Sequence, residues 1–303
     1  MIDVGKKPDS LRTATAQALV FVNPVIIDKI KDGNSPKGNI FEAAKISATI
    51  GVKKTSELIP YCHPIPIDGI KVDFMVEQNF IRIIVDVKSV WKTGVEMEAL
   101  TGVTIAALTI YDMLKPIDES LTIESVKVLE KHGGVGEFYE TFDRILNAIV
   151  IVVSDSRKPA QDESGKIIME ALSKNGFNIF DYKIIPDEIK IIEYELKRFC
   201  DELNIDIIIT TGGTGIGPRD VTPEATKNIL EKEINGIVEN LRNYGQKRTP
   251  LSMLSRGVAG IRGHSIIINL PGSVNAVSQS LDALFPGLMH AFKMIDGHGH
   301  LKK

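Results

Sequence analysis

The chain has 303 residues, of which 43% are hydrophobic and 25% are charged, and its formal net charge is -3. This length predicts two domains, and the composition is typical of globular proteins. Neither half has an excess of Lys and Arg, and no run approaches the ~20 apolar residues of a membrane span. We therefore expect neither a nucleic-acid partner nor a membrane partner.

The two cysteines, Cys62 and Cys200, lie in different halves and have no CxxC partner. Neither a disulfide framework nor a thiolate zinc site is expected from this spacing. The opening MIDVGKKPDS lacks the apolar region of a signal peptide. Both observations favour a cytoplasmic protein.

Residues 1–140 are predicted to form a domain in which strands and helices mix without regular alternation. KGNIFEAAKISATIGVKKTSELI has the three- and four-residue apolar spacing of a helix, and MEALTGVTIAALTIYDML predicts a long apolar helix. Strands are predicted in LRTATAQALVFV, CHPIPIDGIKVDFMV, IRIIVDVKSV and SLTIESVKVLEK. This order predicts an α+β domain with an antiparallel sheet, of the ferredoxin-like type.

The segment KHGGVGEFYETFDRI is predicted to be a linker, and residues 147–303 then alternate between strands and helices. Gly176 is expected as the glycine that follows a helix, Thr222 as an N-cap and Pro223 as the first helical residue. A final helix is predicted from about Val274. Strands are predicted in NAIVIVVSDS, YKIIPD, NIDIIITTGGTG and SIIINLPGS, and helices in ESGKIIMEALSKNG, EIKIIEYELKRFCDEL and TPEATKNILEKEI. The alternation predicts an α/β domain with a mostly parallel sheet covered by helices on both faces.

Two segments of the first half place polar side chains beside predicted element ends. His63 lies between Cys62 and a proline, on stiff backbone, and its structural alternative is a histidine that caps a core strand. Glu96 and Glu98 flank Met97 at the start of the long helix. Their structural alternative is a favourable interaction with the helix dipole. The functional alternative for both segments is contact with a polar substrate.

A third segment, LTIYDMLKPID, carries a charged pair near the end of the otherwise apolar helix. Asp112 and Lys115 are three residues apart and share one helix face. The structural alternative is a surface ion pair, which contributes little to stability. The functional interpretation is a general acid–base pair in a partly buried pocket, where the proton affinity of the lysine would be tuned.

The second half carries a glycine-rich loop, TTGGTG, directly after a predicted buried strand. Its glycines would let successive backbone amides approach an anion, although the loop lacks the G-K-[ST] ending of a P-loop. The structural alternative is a tight strand-to-helix turn. Because the carboxyl ends of parallel strands face one crevice, four loops should meet there, with the residues Ser154, Asp155, Asp187, Gly212, Gly213, Thr214, Gly215, Pro271, Gly272 and Ser273.

Arg219 and Asp220 follow the glycine loop immediately before a predicted helix. Asp220 is a candidate Mg²⁺ ligand and Arg219 a candidate phosphate ligand. Near the C-terminus, His290, His298 and His300 form a cluster that could bind a metal, but no carboxylate or cysteine accompanies them and a disordered tail is the favoured interpretation.

The three segments of the first half, with the opening MIDVGKK and the closing VLEKHGG, resemble the cyclic pyranopterin monophosphate synthase family (MoaC) over residues 1 to about 134. The resemblance implies conversion of a cyclic GTP-derived intermediate, 3′,8-cyclo-7,8-dihydroguanosine triphosphate, to cyclic pyranopterin monophosphate and pyrophosphate. It implies that Asp112 and Lys115 are catalytic and that Lys37 and Lys53 hold the triphosphate. Further implied pocket residues are Tyr61 (where leucine is commoner), Cys62, His63, Glu96, Met97, Glu98 and Met113.

In the second half, TTGGTGIGPRDVTPEA and LSRGVAGIRGHSIIINLPGS resemble the molybdopterin adenylyltransferase family (MogA/MoaB), from about Asn147 to about residue 296. The resemblance implies transfer of AMP from Mg-ATP to the terminal phosphate of molybdopterin. Asp187 and Asp220 would be catalytic and would bind Mg²⁺, and the amides of residues 212–215 would contact phosphate. One departure is Val274, where proline is common.

Some relatives of the second family bind molybdopterin with weak or no adenylyl transfer. The alternatives to a bifunctional enzyme are therefore a second half that only binds molybdopterin or acts as a scaffold, and a purely structural fusion that organises a pathway complex. Both resemblances imply three-fold symmetry, so we expect a homotrimer or homohexamer. The expected ligands are pterin phosphates and nucleotides, with Mg-ATP in the second half and no tightly bound cofactor.

Overall fold

The computed structural model describes residues 1–32 and 34–297, and the chain divides into two units, Met1–Glu137 and Phe138–Lys303. The end of the predicted second domain, with His298 and His300, lies outside the described residues.

The first unit contains a four-stranded sheet in the order β4-β5-β1-β6, and all neighbouring strands are antiparallel. The predicted α+β architecture with an antiparallel sheet is confirmed. Its elements are β1 (Ser10–Phe21), α1 (Pro24–Lys29), β2 (Asn34–Ser35), β3 (Gly38–Asn39), α2 (Ile40–Lys53), α3 (Thr55–Leu58), β4 (Gly69–Val76), β5 (Phe80–Trp91), α4 (Glu96–Leu114) and β6 (Thr122–His132).

Helix α4 lies at the centre of the first unit's core. By length and apolar composition it would pass for a membrane span, but 56% of its apolar window is buried inside the unit, as in the core helix of a soluble domain. Gly102 lets α2 approach closely, because a Cβ atom there would lie 2.8 Å from Cγ2 of Val52. The helix predicted over 37–59 begins only at Ile40 and is interrupted at Lys54, whose backbone N–H caps α2 before α3 begins.

The segment predicted to be a linker, residues 131–145, belongs to the second unit from Phe138 onward. The linker prediction is therefore wrong for residues 138–145. Phe142 packs edge-on against Phe292, with ring centroids 6.3 Å apart. The Glu140 carboxylate pairs with His290 at 2.9 Å and also with Lys293. These aromatic and charged side chains look unpatterned in the sequence because their partners are about 150 residues away.

The second unit contains a six-stranded sheet in the order β10-β11-β12-β9-β7-β8. Neighbours from β12 to β8 are parallel, whereas β10 and β11 are antiparallel to their neighbours. Apolar clusters lie on both faces of this sheet, as predicted. The elements are β7 (Leu146–Val153), α5 (Glu163–Lys174), β8 (Phe177–Ile185), α6 (Ile189–Lys197), β9 (Ile207–Thr211), α7 (Thr222–Ile229), β10 (Lys232–Glu233), α8 (Asn235–Gln246), β11 (Ala259–Arg262), β12 (Ser265–Leu270), α9 (Val274–Leu284) and α10 (Met289–Ile295).

Several predicted helix ends differ in the second unit. Thr222 is not the N-cap of α7 but its first residue, because its buried hydroxyl donates to the carbonyl oxygen of Gly212 at 3.0 Å. Helix α7 ends at Ile229, where Leu230 turns to extended backbone that leads into β10. The predicted final helix is two helices, α9 and α10. Gly176 follows α5 with a φ of +88°, as predicted.

A buried carboxylate holds the start of the second unit. The side chain of Asp206 is 3% exposed and accepts hydrogen bonds from Arg144 Nη1 at 2.6 Å and from the backbone N–H of Asn147 at 2.7 Å. Arg144 also pairs with Asp296 beyond α10 at 3.1 Å. The arginine therefore joins the first strand of the unit to its last helix.

We expect Arg144→Met to destabilise the second unit by about 2–4 kcal/mol, because it removes the guanidinium that pairs with the buried Asp206 charge and leaves, among the basic side chains of the described residues, only the longer 3.6 Å contact with His264. Urea unfolding of the full chain measures the loss. Lys227→Met is the matched control, since the Lys227–Glu233 pair is exposed and 3.8 Å long, and it should cost less than about 1 kcal/mol. Equal losses in the two variants would contradict this role.

Candidate active sites

Asp112 lies between two lysines at the end of α4. Its Oδ1 is 2.7 Å from Nζ of Lys115, and its Oδ2 is 2.7 Å from Nζ of Lys37, which follows β2. The Lys37 ammonium also donates to the backbone carbonyl of Asp112 at 2.8 Å. Lys37 is far from Asp112 in the sequence, so its arrival at the pair is a product of the fold.

The protonation states in this cluster follow from its geometry. Hydrogen bonds from Lys115 and Lys37 lower the pKa of Asp112 to about 2, and the bond to Asp112 raises the pKa of Lys115. All three side chains are 40–56% exposed in the single chain. The prediction of a partly buried pair is therefore wrong for the single chain, because both charged side chains lie on the solvent-facing side of the end of α4, whereas Met113 and Leu114 face the core.

The other predicted residues on α4 lie at its beginning. Glu98 is buried, and its Oε2 has no hydrogen-bond partner in the part of the chain that the structure describes. Burial, with a smaller contribution from the nearby charge of Glu96, raises the pKa of Glu98 to about 7. Burial and the charge of Glu98 also raise the pKa of the Cys62 thiol. A carboxyl group that titrates near neutrality therefore lies close to Cys62.

Glu96 behaves in the opposite way. It pairs with Lys131 at 3.0 Å. Burial opposes ionisation, but the backbone hydrogen bond of Glu96 and its contacts with Lys131 and Arg12 together lower its pKa. The two neighbouring carboxyl groups thus differ in charge near pH 7.

The remaining predicted residues of the first unit differ widely in exposure and make few contacts with the acids at the start of α4. The His63 ring is 2.8 Å from the carbonyl oxygen of Ile2. Tyr61 is 80% exposed, Met97 and Lys53 are exposed, and Met113 is buried in the core. At a rise of about 1.5 Å per residue, the Cα atoms of Glu98 and Asp112 lie about 21 Å apart along α4. The predicted residues therefore form two groups that do not meet within one chain.

A cavity of about 520 Å³ opens beside Glu96. Basic side chains that the sequence analysis did not select line it. Arg12 is 5% exposed and donates to the carbonyl oxygens of Trp91 and Lys92 at 3.3 and 3.4 Å. The sequence did hold a signal for this residue. Arg12 alternates in step with the buried alanines of β1 and so lies on the same face of the strand, where a charged residue is unusual. The other basic lining residues are Lys7, Lys92, Lys131 and His132.

The four strand-end loops of the second unit meet as predicted from the parallel sheet. The N–H of Ser154 donates to the carbonyl of Ile185 at 2.9 Å, and the N–H of Asp187 donates to Asp155 Oδ1 at 3.2 Å. The hydroxyl of Thr211 donates to the carbonyl of Pro271 at 2.6 Å. The first two bonds link the ends of β7 and β8, and the third links the ends of β9 and β12; the two pairs adjoin because β7 and β9 are neighbours in the sheet.

The loop after β9 needs glycine at two positions. Gly212 and Gly213 have φ values of +100° and +61°, which L side chains rarely adopt. A Cβ atom at Gly213 would also lie 2.8 Å from Oδ1 of Asp187. The backbone N–H of Thr222 donates to the Gly213 carbonyl at 3.1 Å. The loop is therefore a fixed turn with a carboxylate directly beside it.

Acidic residues gather on one side of this loop. Burial, with like charge from Asp155 and Asp220, raises the pKa of Asp187. Asp155 pairs with Arg219 at 2.5 Å, and Asp220 Oδ2 accepts from the N–H of Gly217 at 2.7 Å. Arg219 is thus held by a carboxylate in this structure. Among the described residues, no three His, Cys, Asp or Glu side chains form a metal-binding group.

A cavity of about 680 Å³ lies beside the loop and is lined by Thr214, Gly215 and the turn Pro271, Gly272 and Ser273. The predicted acids and Arg219 do not line it. Its other walls come from residues that sequence reasoning did not select: Leu241, Arg242, Leu251, Leu254, Asn275 and Gln279. They lie on and after α8 and on α9, with no motif to mark them.

The fold and the sites define a two-domain protein in which an antiparallel α+β unit with a lysine-flanked aspartate precedes an α/β unit with a glycine loop at the strand ends. Residues 1–134 match the MoaC family, and residues 149–290 match the family described as "Probable molybdopterin binding domain". The chain is 37% identical to a "Molybdenum cofactor biosynthesis bifunctional protein" of Chlorobaculum tepidum, over 99% of this chain and 96% of that protein. The chain belongs to this bifunctional family.

Two further relatives are informative. A protein of the same name from Synechococcus elongatus is 35% identical, over 99% of this chain and 98% of that protein. A "Cyclic pyranopterin monophosphate synthase" of Aquifex aeolicus is 34% identical over 79% of this chain and 97% of that protein. The two predicted family resemblances, in this order along one chain, are confirmed.

The contrast between Glu96 and Glu98 gives a test of the buried carboxyl group. Because the folded pKa of Glu98 is raised, its stabilising protonation is complete below the unfolded pKa and is lost as the pH rises through about 7. Glu98→Gln should therefore match the wild type near pH 4.5 and exceed its stability at pH 8 by about 1–3 kcal/mol. Calorimetric unfolding of the full chain at both pH values measures this.

Glu96→Gln is the matched control, since the lowered pKa of Glu96 stabilises the fold above its unfolded pKa and loses that effect as the pH falls. This variant should be slightly less stable than the wild type at pH 8. A Glu98→Gln effect of the same size at pH 4.5 and pH 8 would contradict a pKa of Glu98 near 7 in the folded chain.

Proposed function

We propose that the chain is a bifunctional enzyme of molybdenum cofactor biosynthesis. The first unit converts 3′,8-cyclo-7,8-dihydroguanosine triphosphate to cyclic pyranopterin monophosphate and pyrophosphate. The second unit transfers AMP from Mg-ATP to molybdopterin. The observation that carries the first assignment is Asp112 between Lys37 and Lys115, within a region that matches the MoaC family. We place the enzyme in the cytoplasm, where free thiols such as Cys62 and Cys200 persist.

The charges of the first unit suit a triphosphate substrate and a proton-transfer reaction. Lys115 is protonated, so it is an acid toward a substrate oxygen or nitrogen, and the ionised Asp112 holds its ammonium in place. Lys37 shares Asp112 and is available to a phosphate that displaces the carboxylate. Glu98 supplies a carboxyl group that gains or loses a proton near pH 7.

The separation of these groups supports assembly into a homotrimer or homohexamer. Asp112 and Glu98 are at opposite ends of α4, so both can act on one substrate only if a second copy brings its own end of the helix. Ile46 and Ile50 on α2 and Leu108 on α4 are exposed apolar side chains beside the Ser47–Thr109 hydrogen bond that joins these helices. Such a face is typical of a protein interface. We propose that subunits meet there.

The order of elements also supports the ferredoxin-like type for the first unit. Without the short pieces, the chain runs β1, α2, β4, β5, α4 and β6, which is strand–helix–strand–strand–helix–strand. The outer strands of the sheet are β4 and β6.

In the second unit, positioning and charge neutralisation would supply most of the catalysis. A phosphate oxygen of molybdopterin attacks the α-phosphorus of ATP, and pyrophosphate leaves. The turn at residues 212–215 offers backbone amides to phosphate, and the cavity beside it has room for an organic ligand. The convergence of four strand-end loops carries this assignment.

The donor set fits a magnesium ion that arrives with the nucleotide. Mg²⁺ usually binds one or two carboxylates together with substrate phosphates, so a protein cage of three acids is not required. The desolvated Asp187 and the neighbouring Asp220 offer carboxylate oxygens, and their mutual repulsion would be relieved by a cation. When bound, Mg²⁺ neutralises charge on the nucleotide phosphates. Asp187 and Asp220 would hold it and orient the nucleotide.

The alternative is a second unit that binds molybdopterin without adenylylating it. Substitutions separate the two, because each should remove one activity only. Asp112→Asn and Lys115→Met should lower cyclic pyranopterin monophosphate formation by at least about 10²-fold and leave adenylyl transfer intact. Asp220→Asn should do the reverse. Product formation from both substrate sets, measured on the full chain, is the assay.

A wild type that binds molybdopterin tightly but forms no adenylylated product with Mg-ATP would favour the binding-module alternative. Unchanged cyclic pyranopterin monophosphate formation in both first-unit variants would instead favour a purely structural fusion.

The proposed interface has its own test. Ile46→Glu with Ile50→Glu should convert the assembly to smaller species in light scattering, because charges would be buried between subunits, and first-unit activity should fall with it. Ile46→Leu keeps the face apolar and should leave the mass unchanged. A wild type with the mass of one chain would overturn the assembly.

A further inference from the structure

The loop between β9 and α7 carries Arg219 and Asp220 but has no helix or strand of its own. The side chain of Arg256, which comes from a distant segment, binds the backbone of this loop at Gly215 and at Asp220. Arg256 donates from Nε to the carbonyl oxygen of Gly215 at 2.6 Å and from Nη2 to that of Asp220 at 2.5 Å. Its backbone N–H donates to the carbonyl of Thr214 at 3.0 Å. Arg256 therefore contacts the loop at Thr214 and Gly215 and again at Asp220.

The guanidinium is itself held in place by a carboxylate. Its Nη1 pairs with Glu224 in the first turn of α7. The hydrogen bond from Arg256 is the main cause that lowers the pKa of Glu224. A planar guanidinium offers donors in fixed directions, so it can satisfy two carbonyls and a carboxylate at once, whereas an ammonium acts as a single point.

The shape of the loop depends on this contact because its internal contacts are few, and because the Arg219–Asp155 pair, which also ties the loop, has exposed side chains. The N–H of Gly217 donates to the Asp220 carboxylate at 2.7 Å, and the N–H of Asp220 donates to the Gly217 carbonyl at 3.1 Å. Both bonds close only a small turn. Without Arg256, a segment with two glycines would gain much conformational freedom.

We infer that Arg256 is a positioning residue that holds the Gly215–Asp220 loop in the shape that presents Asp220 to a nucleotide. It lies just before β11, outside the four strand-end loops, and it does not line the cavity. It acts through the loop and does not touch ligand. The inference rests on the proposed adenylyl transfer for its functional consequence, and on the hydrogen bonds alone for the holding of the loop.

The chain offers a matched control in Arg262. Its guanidinium donates to the Ile229 carbonyl at 3.0 Å and to Asp201 at 2.7 Å, so it also joins a backbone carbonyl to a carboxylate. These partners lie away from the glycine loop. Arg256→Lys and Arg256→Gln, with Arg262→Gln as control, therefore separate loss of loop shape from loss of a generic arginine contact.

Two measurements on the full-length protein test the inference. Hydrogen exchange should accelerate at least tenfold in peptides covering residues 215–220 in Arg256→Gln and stay unchanged there in Arg262→Gln. Calorimetric titration with Mg-ATP should show at least tenfold weaker binding in both Arg256 variants and less than twofold change in Arg262→Gln. The Kd for molybdopterin should change less than twofold in all three.

An unchanged exchange rate in folded Arg256→Gln would overturn the holding role. Faster exchange with unchanged Mg-ATP affinity would overturn its functional consequence. If the wild type binds no Mg-ATP, the adenylyl-transfer proposal fails, and the exchange data still decide whether Arg256 holds the loop.

Discussion

A helix keeps its two ends apart, and the first unit depends on that constraint. Helix α4 runs for 19 residues through the core, with Glu98 at one end and Asp112 at the other. It packs closely against α2 at Gly102, and no proline interrupts it. The two groups of polar side chains are therefore rigidly separated, and a site that uses both needs more than one copy of the chain.

Environment, not residue type, distinguishes the acids at the start of α4. Glu96 has Lys131 beside it, whereas Glu98 is buried with one oxygen unpartnered among the described residues. Neighbours in the sequence thus differ in charge near neutral pH. A pair of carboxyl groups with separated pKa values is a common basis for acid–base chemistry.

In the second unit, the main constraint is on the glycine-rich backbone after β9, which has to be held in one shape where phosphates would bind. Buried hydroxyls of Thr211 and Thr222 tie the glycine turn to its neighbours, and Arg256 closes the loop that follows. The like charges of Asp155, Asp187 and Asp220 are compensated only in part by Arg219. A fixed backbone beside carboxylates whose charge is not fully neutralised suits a nucleotide that carries a bound cation.

The sequence by itself determined both fold classes and the family of each half, because apolar periodicity and long motifs are local properties. It also located the glycine turn, since positive φ selects glycine directly. Only the tertiary structure decided that Lys37 reaches Asp112, that Arg12 enters a basic cavity and that Arg256 spans the loop. Each joins residues tens of positions apart, and no spacing rule connects such partners. The split of the predicted site along α4 has the same origin, because contact between distant residues is set by packing.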